Sequence, residues 1–316
     1  LQINDRPADT ELRARLAAAY LDTGNIEDAL IQAAVARRLA PDDPLVLRTW
    51  GLAHAVRGFA NSDFDDLFEA TLALEQLDQL GAADYETYRT LGRIELGNSD
   101  WRRAEDWLRQ ALDAFPREGG PGSPYLLLAQ VYQQTGQVDE LIEVLEQYLS
   151  IDETAVLQAR DLAELAYQRG EWALAAEYQE VVVAVAPANP QVLPSPPDFY
   201  ARLGEVNSYL GLFEDAAFYL GQAVRLGGPD PRLLRDQALH LARAGQIGAG
   251  LDLLDEWRDR LSPEGVATLS ETRGLLEDTL AGRATLPEIV PPDRSGDAGP
   301  RGDGPPPPPG DLDREI

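Results

Sequence analysis

The chain contains no cysteine and no methionine, its 27 basic residues include no lysine, and it has only two histidines in 316 residues. Lack of cysteine removes disulfides, thiol nucleophiles and cysteine-ligated zinc together. It also fits an oxidising, extracytoplasmic compartment, where a stray thiol is a liability. Without methionine, Leu1 reads as a processed N-terminus or as the end of a fragment. No apolar run approaches the roughly 18 residues a bilayer span requires. All 27 basic residues are therefore arginines, set against 54 acidic ones, for a net charge of −27. A surface of that sign repels nucleic acid and anionic lipid alike, so neither is expected as a partner. His54 and His240 stand far apart, with no second histidine at ligand spacing, and no metal or cofactor is expected. The carboxylate pairs Asp42-Asp43 and Asp65-Asp66 are adjacent in sequence and diverge on a helix, so they read as caps or solvated charge rather than as an acid/base pair. No nucleophile–base grouping and no glycine-rich phosphate loop after a strand can be assembled, and a catalytic role has no support.

Alanine and leucine dominate and β-branched residues are sparse, which favours helix over strand. A phrase built on small residues recurs along the chain. It reads Ala17, Tyr20, Gly24, Ile26, Ala29, then Gly92, Trp101, Ala104, then Ala129, Tyr132, Gly136, Val138, Leu141. Further copies are Ala163, Gly170, Trp172, Ala175; Gly204, Gly211, Phe213, Ala216; and Ala238, Gly245, Ile247, Gly250. A less regular copy opens at Trp50, Gly51 and Gly58. Units starting near Thr10, Pro44, Tyr85, Gly122, Val156, Pro197 and Pro231 are spaced 34, 41, 37, 34, 41 and 34 residues apart. Each unit splits at its glycine into two amphipathic stretches of about 14 residues, the pattern of a helical hairpin. Asp43-Pro44, Ser123-Pro124, Asp230-Pro231 and Ser262-Pro263 each place a capping side chain before a proline at the first helical position. Pro41, Pro116 and Pro187 stand where second helices must stop.

These residues resemble the tetratricopeptide repeat family, whose 34-residue unit carries small residues at positions 8, 20 and 27 and proline at 32. The first unit matches at Ala17, Ala29, Ala36 and Pro41, and the third at Gly92, Ala104, Ala111 and Pro116. The resemblance covers roughly residues 9–262. It implies an all-α, right-handed α-solenoid (a superhelix) of about seven helical hairpins, closed by a capping helix over 263–282. Departures are expected at 59–80, where Asn61-Ser62-Asp63 interrupts the pattern and shifts and lengthens the second helix. Another lies at 187–197, where Pro187, Pro190, Pro194, Pro196 and Pro197 form a rigid connector. The expected organisation is a lead-in at 1–8, five repeats over 9–188, two over 189–262, the cap, and a Pro/Gly/Asp-rich disordered tail over 283–316. Arg301-Gly302-Asp303 in that tail reads as a chance of composition.

By the resemblance, first helices line a concave groove that holds a segment of another protein. Carried over by position, the groove residues are Arg48, Arg89, Arg93, Gln130, Arg160, Glu164, Tyr167, Arg202, Glu205, Tyr209, Arg235 and Arg243. Two readings of the arginines stay open. They form a site for an acidic or C-terminal segment, or they pair with adjacent acids such as Asp161, Glu164, Glu205 and Asp236 and contribute little. None of the units has the Asn that the family's two-carboxylate clamp places at its ninth position. The expectation is a bacterial, non-catalytic interaction scaffold or adaptor. The alternatives are the repeat region of a larger enzyme or a structural subunit of a larger, envelope-type complex. Docking of the acidic end Asp311–Ile316 into the chain's own groove is a further expectation.

Overall fold

A computed structural model describes residues 9–152, 154–185, 193 and 195–292. The lead-in 1–8, most of the proline connector, the Arg-Gly-Asp tripeptide and the acidic end lie outside the described residues. The described residues form fifteen α-helices and no strand.

Two compact units meet at Asp152/Glu153. Unit 1 holds four hairpins: α1 (Thr10–Asp22) with α2 (Ile26–Leu39), α3 (Pro44–Asn61) with α4 (Phe64–Gln79), α5 (Tyr85–Gly97) with α6 (Trp101–Ala114), and α7 (Pro124–Thr135) with α8 (Val138–Leu149). Unit 2 holds α9 (Val156–Arg169) with α10 (Trp172–Val185), α11 (Pro196–Tyr209) with α12 (Phe213–Gly227), α13 (Pro231–Arg243) with α14 (Ile247–Arg258), and the single α15 (Pro263–Leu280). The division therefore falls ahead of the fifth hairpin, not at the proline connector. The reason is packing across that connector: Val206 of α11 is buried in one apolar cluster with Ala166, Tyr167, Ala175 and Ala176 of the fifth hairpin.

Helix starts follow local chemistry. Asp43 accepts hydrogen bonds from the amides of Leu45 and Val46, Asp230 from those of Arg232 and Leu233, Ser123 from that of Tyr125 and Ser262 from that of Gly265. Asp9, Asp63, Asp84 and Asp100 cap four more helices in the same way. Each such cap is worth about 1 kcal/mol, so part of the acidity is structural. Turns inside hairpins need one residue of left-handed backbone. Gly136 supplies it at φ 72°, whereas the second and third hairpins use Ser62 at 55° and Ser99 at 59°. The second hairpin thus turns at Ser62, as the Asn61-Ser62-Asp63 break suggests, and Gly58 stays inside α3. A Cβ at Gly58 would lie 2.7 Å from Leu67, so there the glycine permits close helix approach rather than a turn. The same need recurs at Gly51, Gly92 and Gly204, where a Cβ would come 2.6–2.7 Å from Leu74, Leu108 and Leu220 of the second helix.

The core is a succession of small side chains meeting aliphatic ones. Ala14, Ala17, Ala29, Ala33 and Ala36 are fully buried in the first hairpin, and Leu91, Ala104, Leu108 and Ala111 in the third. Helix α15 buries Gly265, Leu269, Thr272 and Leu276, one per turn, against the last hairpin and leaves the opposite face to solvent. That is how a terminal element closes a one-dimensional stack. No helix of the described residues is long and apolar enough to cross a membrane.

Candidate functional site

In unit 1 the first helices α1, α3, α5 and α7 line a concavity of about 450 Å³. Its walls are largely apolar, from Ala18, Leu21, Leu52, Val56, Phe59 and Leu127, and its charged groups are Asp22, Glu86, Arg48, Arg89 and Arg93. The three arginines differ in what holds them. Arg48 donates from Nε to Asp84 Oδ2 at 2.8 Å. Burial opposes ionisation of Asp84, but hydrogen bonds from Thr87 and then Arg48 outweigh it and hold the carboxyl below its usual range. Arg89 pairs with Glu86 at 2.7 Å, and its Nε is buried with no hydrogen-bond partner among the described residues. Arg93 is exposed and lies over the Phe59 ring, its guanidinium carbon 4.0 Å from the centroid. Among the described residues no carboxylate comes within ion-pair distance of Arg93. Gln130 is exposed on α7 and does not line the concavity.

In unit 2 the corresponding face carries a second concavity, about 600 Å³, lined by Tyr167, Arg202, Glu205, Tyr209, Leu239, His240, Arg243 and others. Here the acids and arginines largely satisfy one another. Glu205 accepts from Tyr167 Oη at 2.8 Å and from Tyr209 Oη at 2.6 Å. Arg202 pairs with Glu164 and lies 4.9 Å from the Tyr167 ring centroid. Arg160 pairs with Asp161 at 3.0 Å, and Arg235 with Asp236 at 2.8 Å. Arg235 is absent from the lining, and Arg160 belongs to a smaller recess with Leu193, Phe199 and Arg202. Arg243 donates to the backbone oxygen of Pro287 at 2.7 Å.

Several groups escape a reading by sequence. Asp66 is not solvated charge: it is 5% exposed, 2.7 Å from His54 Nδ1, and grips Arg57 through two hydrogen bonds of 2.6 Å. The Arg57 hydrogen bonds hold the Asp66 carboxyl below its ordinary range, with His54 adding to the effect against the cost of burial. His240 is 6% exposed, its Nδ1 has no partner among the described residues, and burial, assisted by Arg243, pushes its pKa down to about 4. Phe59, which seats Arg93, carries no charge signal, and only its place on the inner face of α3 marks it. Residues 284–292, expected within the disordered tail, instead run along unit 2, with Leu286 against the cluster of Leu234, Leu269 and Leu276. Among the described residues no group of three or more acidic or histidine side chains could hold a metal ion.

Successive helical hairpins with glycine-permitted close packing, capped by a single amphipathic helix, define a helical-hairpin repeat protein. The tetratricopeptide repeat family model matches residues 123–154, the stretch that folds as α7 and α8. Residues 123–154 are thus a repeat of tetratricopeptide type. Among solved structures, a tetratricopeptide repeat protein from Parabacteroides merdae is similar at a TM-score of 0.45 and 12% identity, covering 85% of this chain and 98% of that one. Pseudomonas aeruginosa PilF is similar at 0.45 and 16%, covering 72% of this chain and 96% of its own. YrrB, described as a TPR protein with an unusual peptide-binding site, gives 0.41 and 15%, covering 73% and 92%. No curated protein matches the sequence.

Proposed function

We propose that the protein is a non-catalytic scaffold whose unit-1 groove holds an extended, acidic segment of a partner protein. The observation that carries this reading is Arg93, a guanidinium stacked on Phe59 with no carboxylate partner among the described residues of an acidic chain. Stacking on the ring uses one face and leaves the N–H edge for a bidentate carboxylate. Arg89 and Arg48 stand beside it on the same largely apolar floor, each paired with a carboxylate. Such a floor suits a strand that alternates acidic and apolar side chains.

Selection of a random peptide library on the intact protein tests this. Selected peptides should be rich in Asp and Glu, and Arg93→Ala should weaken them about ten- to hundred-fold, the loss of one charge-assisted hydrogen-bonded pair. Peptides with no acidic preference, or affinities unchanged by Arg93→Ala, would reject the reading.

A second reading has an observation of its own. Phe64, Phe68 and Leu72 are 74%, 63% and 47% exposed and share one stripe of α4 at four-residue intervals. An apolar stripe of this kind suits a subunit of a larger assembly. It predicts that the isolated chain self-associates and that Phe64→Glu with Phe68→Glu makes it monodisperse. Wild-type protein that sediments as one monomeric species at high concentration would remove this reading.

A further inference from the structure

The chain beyond α15 does not leave the fold at once. Gly282, at φ 70°, turns it back, the Ala284 amide bonds to the Asp278 carbonyl oxygen at 3.2 Å, and Arg283 clasps the Asp278 carboxylate at 2.6 Å. From Ala284 to Pro292 the backbone has no regular secondary structure. Ala284, Leu286, Ile289 and Pro291 are half-buried, while Thr285, Glu288 and Val290 face solvent, Val290 at 77%. Leu286 packs on the terminal apolar cluster, and Ile289 helps line the unit-2 concavity beside Leu239, His240 and Arg243. Between these two side chains the Pro287 carbonyl accepts from Arg243 Nη2.

The groove of unit 2 is thus already reading an extended peptide, and it does so through main-chain and aliphatic contacts. We propose that this groove is a binding site for extended partner segments with two aliphatic side chains three residues apart and a main-chain carbonyl between them. Residues 284–292 are its resident occupant, which such a partner displaces. Three features support exchange. Beyond Ala284, the Arg243 bond is the one hydrogen bond that ties the strand to unit 2 among the described residues, so it can lift without breaking any helix. His240, only 6% exposed, lines the concavity and keeps a buried Nδ1 without a partner among the described residues. Elsewhere in the lining, the Glu205 carboxylate is already held by hydrogen bonds from Tyr167 and Tyr209.

The absence of cysteine makes the test direct. Val290→Cys in the full chain takes one environment-sensitive fluorophore at a solvent-facing position of the strand. Titration with a synthetic peptide of residues 284–292 should shift its emission saturably as the strand is displaced. The variant Leu286→Asp sets a carboxylate against the apolar cluster of Leu234, Leu269 and Leu276, and so expels the strand while leaving every helix intact. By fluorescence anisotropy it should bind the labelled peptide about ten-fold more tightly than the unmodified chain, because the tethered competitor no longer holds the site. Adding Arg243→Ala to that variant should reverse the gain. Equal peptide affinity for the unmodified and Leu286→Asp chains, or no binding to either with helix content unchanged, would overturn the proposal. So would an emission that does not move up to millimolar peptide.

Discussion

Replacing Gly92 with alanine tests the packing rule on which the stack rests. In a solvent-exposed helix interior this change would stabilise by about 1 kcal/mol through helix propensity. At Gly92 the new Cβ would lie 2.6 Å from Leu108 Cγ, 2.7 Å from its Cδ2 and 3.4 Å from the Ala104 carbonyl oxygen. Leu108 is fully buried, and the close atom is its branch point rather than a flexible tip, so α5 and α6 must move apart or Leu108 must leave its rotamer. Overpacking of this kind costs about 1–3 kcal/mol, which exceeds the propensity gain and leaves a net loss of about 1 kcal/mol. The decisive measurement is a double-mutant cycle. Leu108→Ala alone should cost about 2–5 kcal/mol through the space it empties. Gly92→Ala placed in that background fills part of the space, so the double variant should be more stable than the sum of the singles by about 1–2 kcal/mol. Urea unfolding followed by tryptophan fluorescence reports locally, since Trp101 and Trp107 sit on α6 itself. A stabilising Gly92→Ala, or additivity within about 0.5 kcal/mol, would refute the argument that glycine is there to admit Leu108.

Further consequences concern the buried polar groups and the caps. Asp66→Asn should cost about 2–4 kcal/mol at pH 7 by urea unfolding, because it strips the countercharge from Arg57 at a buried site. Since the folded pKa of Asp66 is lowered, its contribution is complete above the unfolded carboxylate range and disappears as pH falls below about 4, so Asp66→Asn should flatten that acid limb. His240 acts in a higher window. Its folded pKa near 4 lies below the unfolded value of 6.5, so the unfolded chain takes up the proton first and stability declines from pH 6.5 down to 4. The full decline is about 3 kcal/mol, and His240→Phe should abolish it in pH-dependent melts. Asp230→Ala should lower stability by about 1 kcal/mol through loss of the α13 cap, with Asp230→Ser restoring most of it.

Helix starts are legible because their chemistry is local: Asp43-Pro44, Ser123-Pro124, Asp230-Pro231 and Ser262-Pro263 all form caps at the expected residues. The hairpin period is legible because each close approach needs a small residue at a fixed offset, as at Ala17 and Gly204. The turn of the second hairpin is half legible. Asn61-Ser62-Asp63 marks a break, but a left-handed serine carries no glycine signal, and Gly58 nearby offers a false one. The inner faces are less legible, because adjacency in sequence does not say which carboxylate an arginine meets in space. Arg160 and Arg235 turn to the next residue along the chain, whereas Arg48 and Arg202 reach Asp84 and Glu164 on neighbouring hairpins, 36 and 38 residues away. Asp66 misleads for the same reason, since its partners His54 and Arg57 come from the preceding helix. Residues 284–292 look compositionally like a tail, and only the apolar cluster at the end of unit 2 gives Leu286 somewhere to go.

The charge excess bears on how either groove selects. With 54 acidic groups against 27 arginines, an inner-face arginine is expected to meet a carboxylate, as Arg48 and Arg89 do in unit 1. In unit 2 that expectation holds for Arg160, Arg202 and Arg235, and Arg243 is occupied by a carbonyl instead. Arg93 differs in that Phe59 holds its guanidinium against a ring. A guanidinium stacked in this way is partly relieved of water before any guest arrives, which raises the value of a later bidentate contact. At long range the same chain repels an acidic guest, and that repulsion is screened beyond about 8 Å at physiological salt, while contact at Arg93 is screened much less. The two effects separate in kinetics. If the unit-1 reading is right, added salt should speed association of an acidic peptide and change its dissociation little, and Arg93→Ala should act on dissociation. A peptide whose association slows with salt, as for an attractive field, would contradict a groove in which a local cation sits inside a repulsive surface.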